Sequence, residues 1–145
     1  MQKPTEIQKV KEIMSRDVQV TSPDKTIEEA AQQMEQGNFG MLPVESNGRM
    51  IGAISDRDIA IRAVAKGREP DTEVSEIMSK GIVTAFEDTS VADAAKLMSD
   101  NKIRRLPILN ANKHLVGIVA LGDIAVEDAD AVVAATALSA ISKPA

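Results

Sequence analysis

Apolar residues at Ile27, Ala30, Ala31 and Met34 fall three and four apart and form one stripe of a helix; Val91, Ala94, Ala95 and Met98 do the same further on. Each stripe opens on a helix-start signature. Thr26-Ile27-Glu28-Glu29 is a capping box, with Thr26 placed to accept from the N3 amide and Glu29 to reach back, and Ser90-Val91-Ala92-Asp93 repeats the device. Gly37-Asn38 and Asp100-Asn101 close these helices. Asp17 to Thr21 is short and β-leaning until Ser22-Pro23-Asp24 breaks it. Met41 to Glu45 and Met50 to Ser55 predict a hairpin around Ser46-Asn47-Gly48, Asn-Gly being the favoured turn pair. A helix over Asp56 to Lys66 follows, then a linker, Gly67-Arg68-Glu69-Pro70-Asp71.

These elements occur twice. Val10 to Val44 matches Val74 to Ile108 at a constant offset of 64, which sets Glu12-Ile13-Met14-Ser15 on Glu76-Ile77-Met78-Ser79 and Leu42-Pro43 on Leu106-Pro107. One extra residue enters the second copy between Asn110 and His114. The match then resumes at offset 65, with Gly52 on Gly117 and Asp58-Ile59-Ala60 on Asp123-Ile124-Ala125. The predicted organisation is two β-α-β-β-α copies, at 8–69 and 70–130, followed by a helical or frayed tail at 131–145. A motif this small needs a partner to complete a core.

Composition narrows the chemistry. Of 145 residues 43% are hydrophobic, ordinary for a folded domain, yet the aromatics are only Phe39 and Phe86. The core is therefore aliphatic, and single-stranded nucleic acid has few rings to stack on. The net charge is −5, with no basic run longer than Arg104-Arg105, which speaks against DNA or an anionic membrane. Without cysteine there is no disulfide, thiolate nucleophile or thiolate metal site, and His114 is the single histidine, so no metal site is expected. No stretch approaches a membrane span and the N-terminus has no apolar signal core, so the expected compartment is the cytoplasm. The sequence contains no Gly-x-x-x-x-Gly-Lys-Ser/Thr loop, Gly-x-Ser-x-Gly elbow or His-Glu-x-x-His pair, and the expectation is a chain without catalytic activity.

The Ile-Met-Ser openings, the Leu-Pro of each middle strand and Gly52-Ala53-Ile54-Ser55-Asp56-Arg57-Asp58 together resemble the CBS domain family in its paired form, the Bateman module, over Val10 to Asp128. The last segment is similar to that family's Gly-hydrophobic-x-Ser/Thr-x-x-Asp nucleotide signature. The resemblance implies an α/β (α+β) fold of tandem motifs about a pseudo-twofold axis, as in stand-alone bacterial and archaeal CBS pairs. It also implies an energy or metabolite sensor that binds AMP, ADP, ATP or S-adenosylmethionine and requires no cofactor.

Ser55 and Asp58 lie where a strand ends and a helix begins, a place of free amides and partial positive charge that suits a phosphate. Asp58 could also accept from both hydroxyls of a ribose. On spacing alone Ser-x-x-Asp is a helix cap; the resemblance favours a ligand site, and one side chain could serve both. The resemblance further sets Arg104 and Arg105 opposite the first copy's Asp, as phosphate cations. Strand alternation lets one of the two face a ligand and leaves open which. The copies differ: Ala120 replaces Ser55, Gly40 and Met41 replace the arginines, and the second copy keeps little beyond Asp123. Val18, Ile54, Ile82 and Val119 are, by resemblance, the walls around adenine.

Two functions follow as alternatives: a regulatory module holding an adenine nucleotide between its copies, or a ligandless scaffold for dimerisation or protein interaction. Ile59 to Ala65 is apolar over more than one stripe, and Ala131 to Ile141 is rich in Ala and Val, so a homodimer packed through these segments is expected.

Overall fold

The computed structural model describes residues 8–125, which fall into two compact units, one containing 19–82 and the other 8–18 with 83–125. The tail at 131–145 lies outside the described residues.

The unit of 19–82 is built on helix α1 (Ile27–Gly37), the hairpin of β1 (Met41–Ser46) and β2 (Arg49–Ser55), a helical stretch from 56 to 66, and the short helix α3 (Val74–Ile77). The capping box forms as the spacing predicts: the Glu29 amide donates to Thr26 Oγ1 at 3.1 Å and the Thr26 amide to Glu29 Oε2 at 3.4 Å. At its other end Asn38 adopts the left-handed conformation (φ 56°), and the Phe39 amide donates back to the Met34 carbonyl, 3.2 Å. Asn47 and Gly48 have φ of 53° and 78°, the two positive values that a tight hairpin turn needs. The helical stretch opens as α2 (Asp56–Asp58), widens to a π turn over Ile59–Ala63 and tightens to a 3-10 turn over Val64–Lys66. It stops at Gly67 (φ 72°), where the Arg68 amide donates to the Ala63 carbonyl.

The other unit repeats the plan with β3 (Ala85–Phe86), α4 (Val91–Asn101), β4 (Arg105–Leu109), β5 (Leu115–Ala120) and α5 (Leu121–Ala125). β4 pairs antiparallel with β5 and parallel with β3. Both hairpins carry a bulge at the equivalent place, Val44/Glu45 and Ile108/Leu109. The extra residue of the second copy is taken up in a turn held by Asn110, whose Oδ1 accepts from the amides of Asn112 and His114, both at 3.0 Å. The mixed helix-and-sheet fold with two tandem motifs is therefore the one expected.

Two local expectations are corrected. Asp17 to Thr21 forms no strand. Thr21 alone pairs, through one parallel bridge to Val44, because Ser22-Pro23 follows at once and 17–20 find no partner in a ladder. The helix of the second copy closes on Lys102 (φ 54°), not on Asp100-Asn101. Lys102 is the offset-64 counterpart of Asn38, and Ile103 donates back to Met98 as Phe39 does to Met34.

Each core takes in the opening segment of the other copy. Val74, Ile77 and Met78 pack with Ile27, Ala30, Met34, Leu42, Val44 and Ile54. Val10 and Met14 pack with Val91, Ala94, Met98, Leu106, Ile108 and Val119. A glycine receives each arm. Ser79 and Ala53 exchange two backbone bonds (3.0 and 2.8 Å) beside Gly52, where an added Cβ would stand 2.8 Å from the Ser79 carbonyl and 2.9 Å from Met78 Sδ. Ser15 and Ile118 do the same beside Gly117, at 2.9 Å each.

Candidate functional site

The corner between β2 and α2 carries the two polar residues singled out from the sequence. Ser55 Oγ accepts from the Asp58 amide and Asp58 Oδ2 accepts from the Ser55 amide, both at 3.0 Å, so the pair is a complete capping box. The remaining amides of this turn are also occupied. Asp56 donates to the Gly40 carbonyl (2.9 Å) and Arg57 to its neighbour's Asp56 Oδ1 (2.8 Å). The free amides expected at this helix start are thus filled from within the chain.

Asp58 Oδ1 faces two groups that sequence reasoning missed. Ser79 Oγ donates to it at 3.3 Å, and Arg62 Nη1 stands 3.9 Å away. Arg62 also donates to the Met78 carbonyl and to Ser79 Oγ, each at 3.3 Å. The Asp58 side chain is 17% exposed, reachable from solvent yet held on both oxygens. Arg62 was legible as the residue one turn beyond Asp58. Ser79 could have been suspected only from its place in the repeated Glu-Ile-Met-Ser.

The equivalent corner of the second copy is simpler. Asp123 Oδ2 accepts from the Ala120 amide at 2.8 Å, and Ala120 has no hydroxyl to return the bond. Arg105 opens β4 opposite Ala120 and is half-buried; burial draws its pKa below the usual arginine range and the neighbouring Asp123 carboxylate opposes the shift. Arg104 is exposed, with its carbonyl taking the Leu121 amide at 2.9 Å. The first copy has Gly40 in Arg104's position, where a Cβ would stand 2.8 Å from Asp56 Oδ2.

Of the apolar walls, Ile54 and Val119 are fully buried among core residues, while Val18 and Ile82 are half-buried. A hollow of about 400 Å³ at the start of α1 is lined by Thr26, Glu28, Glu29, Glu69, Pro70 and Asp71; its four carboxylates would repel phosphate. Among the described residues no group of three or more His, Cys, Asp or Glu could hold a metal, and no helix is long and apolar enough to cross a membrane.

The chain matches the CBS domain over residues 10–64 and 74–130. It is 47% identical over 133 residues to the CBS domain-containing protein YhcV of Bacillus subtilis, covering 92% of this chain and 94% of that one. Its fold is similar to the CBS domain pair of protein MJ0100, solved in complex with 5-methylthioadenosine and S-adenosyl-L-methionine (TM-score 0.72, 32% identity, 82% of this chain and 94% of that one). It is also similar to CBSX2 solved in complex with AMP (TM-score 0.70, 25% identity, 80% and 92%).

Proposed function

The chain belongs to the CBS domain family, and from that premise we propose that it is a non-catalytic regulatory module holding one adenosyl ligand, of the AMP, ADP, ATP or S-adenosylmethionine class. The observation that carries this reading is the Asp58 carboxylate, partly exposed and fixed by the Ser55 amide, with a second oxygen held loosely, by a long bond from Ser79 at 3.3 Å and by Arg62 at 3.9 Å. A vicinal diol can take such an oxygen. Arg104 and Arg105 are the proposed phosphate cations; their planar forks suit phosphate oxygens. The copies diverge in the same sense, since Ser55 and Arg62 belong to the first alone. Calorimetry of the purified chain with AMP, ADP, ATP and S-adenosylmethionine tests the proposal. At a hundred times the dissociation constant, binding to the native state adds about 2.7 kcal/mol, which raises the melting temperature by roughly 5 to 15 °C in a domain of this size. No heat and no thermal shift at millimolar ligand would leave the scaffold reading in its place.

A homodimer is proposed alongside. Ile61 and Val64, on the helical stretch of 56–66, are 49% and 68% exposed, and burying such side chains is worth about 1.5–3 kcal/mol each. Sedimentation at micromolar protein should give twice 15.5 kDa, and Val64→Asp should return it to one chain. A wild-type monomer would rule the dimer out.

A further inference from the structure

We infer that Ser79 and Arg62 form the second half of the ribose acceptor, Ser79 as a direct ligand and Arg62 as its positioning residue; the inference rests on the nucleotide reading of Asp58. Ser79 is pinned by its backbone, exchanging bonds of 2.8 and 3.0 Å with Ala53, so its hydroxyl stands at a fixed place beside the carboxylate. That hydroxyl accepts from Arg62 Nη1 at 3.3 Å and donates to Asp58 Oδ1 at 3.3 Å. Both are long for bonds to charged groups, which favour 2.7–2.9 Å or less. A diol arriving at Asp58 takes the donor's place on Oδ1. The Ser79 proton then turns to a ribose oxygen while Arg62 still holds the serine oxygen, so the exchange leaves neither side chain without a partner. Asp58 accepts and Ser79 donates, a combination that matches a sugar hydroxyl, itself both donor and acceptor.

The second copy lacks this arrangement at the level of sequence. Ser15 occupies Ser79's position and Asp123 that of Asp58, but the counterpart of Arg62 is Glu127, of opposite charge. Ser15 is pinned to Ile118 just as Ser79 is to Ala53. The backbone framework is thus common to both copies, and the cation that orients the serine belongs to the first.

Calorimetry of the full chain with adenosine and 2′,3′-dideoxyadenosine is the test. Wild type should prefer adenosine. Ser79→Ala should shrink that preference about 5- to 10-fold, as loss of one hydrogen bond does, by weakening adenosine while leaving the dideoxy compound unchanged. Ser79→Thr should restore it, and Arg62→Met should reduce it in the same diol-dependent way. A preference that survives Ser79→Ala, or an equal loss for both nucleosides, overturns the inference and leaves the reading of Asp58 intact. A wild-type chain that binds the two nucleosides equally overturns both.

Discussion

Gly52→Val should lower stability by about 2–4 kcal/mol, from overpacking plus loss of the backbone bridge it displaces, and the melting temperature by roughly 10 °C. The position has no room: the nearest atoms to an added Cβ are the Ser79 carbonyl at 2.8 Å and Met78 Sδ at 2.9 Å. A methionine tip can swing aside, but the Ser79 carbonyl is backbone and is already accepting from Ala53 at 3.0 Å. Moving it draws Val74, Ile77 and Met78 out of their core. The β-propensity of valine works in the opposite direction by less than about 1 kcal/mol. Gly122→Ala is the matched control, since nothing lies within 4 Å of its Cβ position and it sits in α5; it should be neutral or stabilising by up to about 1 kcal/mol. Thermal melts of both variants decide the matter, and a Gly52→Val chain melting within a degree or two of wild type would show that the arm yields freely.

Asp58→Ala should weaken adenosine, AMP and ATP alike by about 100-fold or more, because two hydroxyls lose a charged acceptor worth roughly 1.5–3 kcal/mol each. The change also strips the Ser55 amide of its acceptor and Arg62 of its 3.9 Å partner. A modest loss of stability, on the order of 1 kcal/mol, should accompany it. Asp123→Ala provides the contrast and should leave ligand affinity nearly unchanged, because its corner has Ala120 where the first has Ser55. Loss of Arg104 or Arg105 should hurt ATP and ADP more than adenosine. Titration calorimetry across these variants separates the roles; equal damage from Asp58→Ala and Asp123→Ala would place the ligand at the wrong copy for this reading.

The residues that made the fold legible are those whose physics is local. Thr26 and Glu29 cap within three positions, and Asn47-Gly48 turns on its own dihedral preferences, so both could be read from neighbours alone. Lys102 escaped because lysine has no intrinsic bias to positive φ; only the repeat register, 38 to 102, points to it. The exchange of arms escaped because it is made of contacts between residues far apart in sequence. The same division runs through the candidate site. Ser55-x-x-Asp58 was visible as a pattern with two meanings, and the structure realises the cap in full. What no pattern displayed is that Asp56 and Arg57 find internal acceptors for their amides, or that a serine 21 positions away turns its hydroxyl to Asp58.

The exchanged arms also bear on ancestry. A lone copy of this motif would carry an arm it cannot use and a core it cannot close, so two separate chains would have to trade arms to fold at all. Joining them end to end turns that obligatory trade into an internal one. Identical subunits must change together, since every substitution appears in both; a fused pair is released from that constraint. In this chain one half carries a hydroxyl and a cation at Ser55 and Arg62, while the matching positions of the other are Ala120 and Glu127.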